Sequence, residues 1–213
     1  MISNGMKILI GTPIHEIKDY AMERWLANVA KLQLEHPADL LLMDNSPGLD
    51  YVEKVKGYCA KYGIKDYKIE HLELSLEQGA DERIGRSRET IRQYLLAHDY
   101  DAWFTWECDQ IIPTNALDEL IELMKTEDYM IVNPNNWSRE IPPQPNTDFG
   151  FSLIKRECLE KYGFLPEFGT NPDLPESWVA GEFRFRKQVL DGGGNYVEVY
   201  GIINPVYHLR ENE

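Results

Sequence analysis

The sequence predicts an α/β domain, a mainly parallel central sheet flanked by helices with a loop-rich C-terminal part. Three observations predict it. Short apolar runs alternate with segments of helical period through residues 1–113, the pattern of strands joined by crossover helices. The apolar runs, such as Leu40 to Met43, are strand-sized and far short of a membrane span of ~20 residues. Beyond residue 113 the periodic segments are separated by long proline-bearing stretches, which a domain of this kind usually keeps for binding or for lids.

The elements follow in order. Lys7-Ile8-Leu9-Ile10-Gly11 is an apolar run closed by Thr12-Pro13, the mark of a buried strand. Asp19 to Leu34 carries Met22, Trp25, Leu26 and Val29 on one helical face. Ala38 to Met43 is a second strand, ended by the turn residues Asp44-Asn45-Ser46-Pro47-Gly48. Leu49 to Tyr62 reads as a helix stopped by Gly63. Tyr67 to Leu74 alternates as a third strand, Ser87 to His98 is a third helix, and Ala102 to Trp106 is an aromatic fourth strand. Thr114 or Asn115 caps a helix whose Leu117, Leu120, Ile121 and Met124 share a face. Met130-Ile131-Val132 is a fifth strand, and Asn133 to Asp148 and Phe168 to Ser177 read as loops. Gly181 to Leu190 is helical, Tyr196 to Tyr200 is a strand, and Val206 to Arg210 closes the chain in extended form.

Composition narrows the partners. The chain has 213 residues, with 36 acidic against 22 basic side chains, a net charge of −14. Such a body repels nucleic acid and anionic membrane at long range. With 43% hydrophobic residues it is too apolar for a solvated, disordered chain. One domain over 1–213 is expected. No secretory leader or integral membrane segment is evident. Cys59, Cys108 and Cys158 are odd in number and form no CxxC, which argues against a disulfide framework or zinc cluster and fits a reducing, cytoplasmic setting.

Right-handed crossovers place the C-terminal strand ends along one sheet edge, where ligands of such sheets bind. The segments there are Thr12-Pro13, Asp44-Asn45-Ser46 and Glu107-Cys108-Asp109. Glu107 and Asp109 at i and i+2 turn toward one side of an extended chain, and two close carboxylates favour a cation. Hard oxygen ligands suit Mg²⁺ or Mn²⁺; the bland alternative is an ordinary polar strand terminus. Arg83, Arg86, Arg88 and Arg92 cluster at the start of the third helix, where guanidinium forks and helix N–H groups bind phosphate. The alternative is a solvated face paired with Glu82 and Glu89, with Arg88 alone pointing inward. Glu182, near a helix start, is either a general base or an acid favoured by the helix dipole. His208 is a lone histidine and Asp148 an isolated acid. No GxGxxG, phosphate-binding GxxxxGK[ST] or GxSxG motif occurs in a fitting context.

Taken in order, these segments resemble the inverting, nucleotide-sugar-dependent glycosyltransferases of the GT-A fold, family-2 group. Ile8 to Pro13 is similar to that family's first strand, so Thr12 and Pro13 would line the nucleobase pocket. Asp44-Asn45-Ser46 with Asp50 resembles its "DN-S-x-D" segment, implying that Asp44 and Asn45 meet base or ribose. Gly85-Arg86-Ser87-Arg88-Glu89 looks like its "G-x-a-R-N" helix start, with Glu89 in place of asparagine. Glu107-Cys108-Asp109 resembles the DxD metal motif, with Asp109 the surer ligand and Glu107 either joining it or facing the sugar or ribose. Gly181-Glu182-Phe183-Arg184-Phe185 is similar to the "G-E-D-x-x-F" helix that carries the base, and the Gly194 turn and His208 to the "G…H" ending, where histidine can join the metal.

The resemblance implies a Rossmann-like sheet with a nucleotide-sugar-binding half, 1–113, and an acceptor-binding half, 114–213. It implies a metal-dependent transfer of sugar from a UDP- or GDP-sugar to a glycan or other hydroxyl acceptor. Mn²⁺ or Mg²⁺ would sit on Asp109, Glu107 and His208, with Arg88 beside the diphosphate. Glu182 is the expected base, with Asp148 and Glu176 as rivals, and Trp137 and Trp178 are expected to meet the acceptor. Two alternatives stand beside it. One is a non-catalytic nucleotide- or carbohydrate-binding module with a degenerate site. The other is a sugar-nucleotide pyrophosphorylase, disfavoured because the turn after the first strand holds one glycine, Gly11.

Overall fold

A continuous apolar strand, β1 (Ile8–Ile14), lies inside the sheet because both of its faces are covered by helices. The computed structural model describes residues 5–74, 79–135, 150–164 and 181–211. After β1 a short 3-10 turn (Glu16–Lys18) leads into α1 (Asp19–Glu35), followed by β2 (Asp39–Asp44), α2 (Asp50–Tyr62), β3 (Tyr67–His71), α3 (Ala80–Ala97) and β4 (Ala102–Trp106). A two-residue strand, β5 (Gln110–Ile111), precedes α4 (Ala116–Thr126) and β6 (Ile131–Asn135). Then come β7 (Phe151–Lys155), α5 (Arg156–Lys161), α6 (Gly181–Asp191), β8 (Tyr196–Tyr200) and β9 (Tyr207–His208).

The main sheet has the order β3-β2-β1-β4-β7-β6-β8, and β5 pairs with β9 in a small antiparallel sheet. β3, β2, β1 and β4 run parallel, β7 runs against β4 and β6, and β8 is parallel to β6. The predicted mainly parallel α/β sheet is therefore what forms, with β7 as its reversed strand. Alternation along each strand divides the core in two. Ile8, Ile10, Leu40, Leu42 and Phe104 pack with α1, α2 and α4 on one face, while Leu9, Leu41, Met43 and Trp103 pack with α3, α5 and α6 on the other. Gly11 allows a close approach on that second face. A Cβ there would fall 2.5 Å from Ile91 Cγ2 and 2.6 Å from the Trp103 indole nitrogen, which donates to the Gly11 carbonyl.

Several boundaries differ from the sequence reading. β1 continues through Thr12 and Pro13, and β3 stops at His71. α2 ends as expected at Gly63, which takes the left-handed conformation at φ 69°. α3 starts at Ala80 rather than Ser87, so its arginines occupy the first turns of a longer helix instead of its N-terminal edge. β5, β7 and α5 were not expected. No described helix is long and apolar enough to cross a membrane.

Candidate active site

The C-terminal ends of β1 and β4, the turn after β1, Asn45 and the first turns of α3 enclose a cavity of about 310 Å³. Its floor is the Glu107-Cys108-Asp109 turn. That turn is held from several sides. Thr12 Oγ1 donates to the Trp106 carbonyl at 2.8 Å, and the Trp106 indole donates to the Gln110 carbonyl at 2.9 Å. The Glu107 N–H donates to the Gly150 carbonyl at 2.7 Å, and the Leu209 N–H to the Asp109 carbonyl at 2.8 Å. Asn28 of α1 mimics a strand neighbour, its side chain both accepting from Ile112 N–H (2.9 Å) and donating to Ile112 C=O (3.0 Å). A fixed turn keeps the two acids in place.

Asp109 is almost fully buried, its side chain 3% exposed. Its Oδ2 is bound by the Lys18 ammonium, with the Tyr20 hydroxyl at 3.5 Å. Burial pulls the Lys18 pKa down, but the hydrogen bond and charge of Asp109 more than offset it, and the net shift is upward. Glu107 accepts from Gln110 Nε2 at 3.2 Å and also faces the cavity. Cys108 between them is fully buried, and burial with its acidic neighbours pushes the thiol up to about 12, so it carries no nucleophile.

The roof is cationic. Arg83, Arg88 and Lys18 all line the cavity, with His15 beside them and Ile17 72% exposed. Arg88 is inward as expected and pairs with Glu182 of α6, the two side chains 11% and 13% exposed, while its Nε is buried without a hydrogen-bond partner. Arg86 pairs with Glu82 on its own helix, and Arg92 binds Glu89 and the Leu159 carbonyl. Glu89, standing where the resemblance has asparagine, also accepts the Phe164 N–H at 3.0 Å and so fastens α3 to the segment after α5.

Two further residues of the expected set are bonded within the protein. Thr12 is buried in its bond to Trp106. Asp44 is wholly buried, with Oδ1 accepting from Ser46 Oγ at 2.6 Å and Oδ2 from His71 Nδ1 at 2.6 Å, so its carboxylate faces the protein. Pro13 and Asn45 do line the cavity, Asn45 donating to Ser87 Oγ at 2.9 Å. His208 lies beside the floor through the register Gln110↔His208 and borders a second cavity, of about 330 Å³, that Asp109 also lines. Asp148, Glu176, Trp137 and Trp178 lie outside the described residues. Lys18 and His15 were missed. The signal that finds them is position: both follow the C-terminal end of β1, where a parallel sheet binds its ligands.

Among the described residues no three His, Cys, Asp or Glu groups converge on one point. Mg²⁺ and Mn²⁺ do not require that, because they are commonly held by one or two carboxylates and the substrate's phosphates. The buried Asp109 carboxylate with Glu107 beside it suits an ion shared in this way, at a position where Lys18 now engages Asp109.

No family model matches the sequence, and no curated protein matches it. Solved structures do match in fold. A mannosyltransferase from Pyrobaculum calidifontis in complex with GDP-Man and Mn²⁺ superposes with a TM-score of 0.67 at 11% identity, over 94% of this chain and 56% of that one. TarS of S. aureus in complex with UDP gives 0.62 at 12% identity, over 91% of this chain and 61% of that one. A mycobacterial protein gives 0.59 at 16% identity, over 92% and 66%. This chain thus spans less than two thirds of the length of each. Sheet order, the cavity at the strand ends and these likenesses agree on one architecture: the chain has the GT-A glycosyltransferase fold.

Proposed function

We propose that the protein transfers a sugar from a nucleoside-diphosphate sugar to an acceptor hydroxyl, with inversion and with a divalent ion. The observation that supports it best is the pairing of a buried acid floor, Asp109 with Glu107, and a cationic roof, Lys18, Arg83 and Arg88, in one cavity at the strand ends. A diphosphate between them would satisfy both. Pro13 and Asn45 are assigned to the nucleoside. Asp109 and Glu107, with His208 nearby, would hold Mn²⁺ or Mg²⁺, which when bound offsets charge on the leaving diphosphate.

In the transfer, the acceptor oxygen attacks the anomeric carbon as Glu182 takes its proton. The bond from that carbon to the diphosphate oxygen breaks, and its electron pair leaves with the diphosphate. Arg88 has two anions to choose between, Glu182 and the diphosphate. Its movement to the second frees the first for the proton. Trp137 and Trp178 are assigned to the acceptor, in the half 114–213, and Asp148 and Glu176 are the rival bases.

The test is a melting panel of UDP-, GDP- and dTDP-sugars with Mn²⁺, followed by turnover of the stabilising donor. The right donor raises Tm by mass action. Asp109→Asn is expected to lower turnover by about 10²-fold or more, the usual loss when a transition-state charge loses its stabiliser. Unchanged turnover in that variant overturns the mechanism. A second reading, a binding module without catalysis, is favoured by the Arg88–Glu182 pair, which neutralises the expected base. Donor binding with no turnover towards any acceptor or water would establish it.

A further inference from the structure

We infer that Lys18 is a built-in competitor for the metal position: it neutralises Asp109 until donor and ion bind and makes divalent-ion binding depend on a nucleoside diphosphate. The inference rests on the donor reading above and goes one step further, to the order in which the ligands arrive.

Lys18 is delivered to Asp109 by the fold. Its turn is pinned by Ile17 N–H donating to His15 Nδ1 at 3.1 Å and by Lys18 N–H donating to the His15 carbonyl at 2.8 Å. The Glu16 N–H donates to Ser46 Oγ at 2.8 Å, and Ser46 Oγ donates in turn to Asp44 Oδ1. The buried Asp44 thus anchors, through Ser46, the turn that aims the ammonium. The two partners differ in access. Asp109 is 3% exposed and lines both cavities, whereas Lys18 keeps 36% of its side chain in solvent and has room to leave.

A lone divalent ion entering this site must expel an ammonium already bonded to the carboxylate. It gains one or two protein oxygens, since no three-group cluster exists among the described residues. A nucleoside diphosphate changes the balance twice. Its oxygens complete the ion's coordination, and they offer Lys18 another anion within the same cavity. The site therefore stays closed to free metal and opens when donor and metal arrive together.

The test is Mn²⁺ binding to the full chain, followed by the electron paramagnetic resonance of free Mn²⁺, with no nucleotide present. Lys18→Met is expected to bind Mn²⁺ at least about tenfold more tightly than the wild type, the scale of losing one charge-assisted competitor. Lys18→Arg, which keeps a cation on Asp109, should stay weak, and Asp109→Asn should abolish the gain when combined with Lys18→Met. Addition of UDP or GDP should bring the wild type close to Lys18→Met. Equal affinity of wild type and Lys18→Met for Mn²⁺ alone, including no binding by either, overturns the inference, provided the melting curves show both folded. Failure of the donor reading shows separately, as absence of UDP and GDP binding in every variant whatever the Mn²⁺ comparison gives.

Discussion

His15 links the shape of a turn to its charge. Its Nδ1 accepts the Ile17 N–H, which requires that nitrogen to be unprotonated. Burial lowers its pKa below 6.5, the positive Arg83 lowers it further, and Glu16 and Asp44 only partly oppose them. The folded state thus resists a proton that the unfolded chain accepts near 6.5. The resulting stability is complete above that pH and is lost as pH falls through the lower folded value. His15→Gln should therefore show a flatter dependence of Tm on pH between 7.5 and 5 than the wild type; equal slopes would refute this. Residues like His15 mark how far the site could be read in advance. Pro13, Asn45, Arg88, Glu107 and Asp109 all reach the cavity, because strand ends and acid spacing are local facts. Thr12 and Asp44 are engaged by Trp106 and His71, partners too distant in sequence for a local reading to supply. Lys18 was missed because a lysine in a turn looks solvated until its carboxylate, 91 positions away, is placed beside it.

Elements were legible where one periodicity ran unbroken. β4 and β8 occur as expected, and α1, α2 and α4 differ by a residue or so at their ends. The first turns of α3, Ala80 to Arg86, carry charges and Gly85 instead of an apolar stripe, so nothing local announces a helix there. β7 is a short run after a proline-rich stretch, and its reversed direction follows from pairing with β4 and β6 alone. The other end of α3 shows what secures such a helix. Arg156, the first residue of α5, donates to the carbonyls of Leu96 (2.8 Å), His98 (2.7 Å), Tyr100 (3.2 Å) and Leu95 (3.3 Å). A cation over a helix C-terminus meets both orphan carbonyls and the negative end of the dipole. Arg156→Ala is expected to cost about 2 kcal/mol in urea unfolding, as a lost set of charged hydrogen bonds does, and Arg156→Lys less, since it lacks the planar fork. No change in the unfolding midpoint would show that water replaces the guanidinium.

At the scale of the whole molecule the charge of −14 and the proposed anionic donor oppose each other. The cavity resolves this locally, since Lys18, Arg83 and Arg88 line it with Glu107 and Asp109, and Glu182 pairs with Arg88, without the excess of acid found over the rest of the chain. The two fields have different ranges. The global repulsion acts through solvent over distances beyond ~8 Å and is screened at physiological salt, while contacts inside a buried site are screened far less. Added salt should therefore remove the obstacle to approach and leave most of the attraction. We expect the association rate of UDP or GDP, with Mn²⁺ saturating, to rise about twofold or more as NaCl goes from 10 to 150 mM, followed by stopped-flow fluorescence of the cavity-lining Trp106 region. Enzymes that steer anions with a basic surface show the reverse, a rate that falls with salt. A falling rate here would mean that the cationic roof governs approach at long range and that the acidic body does not shield it.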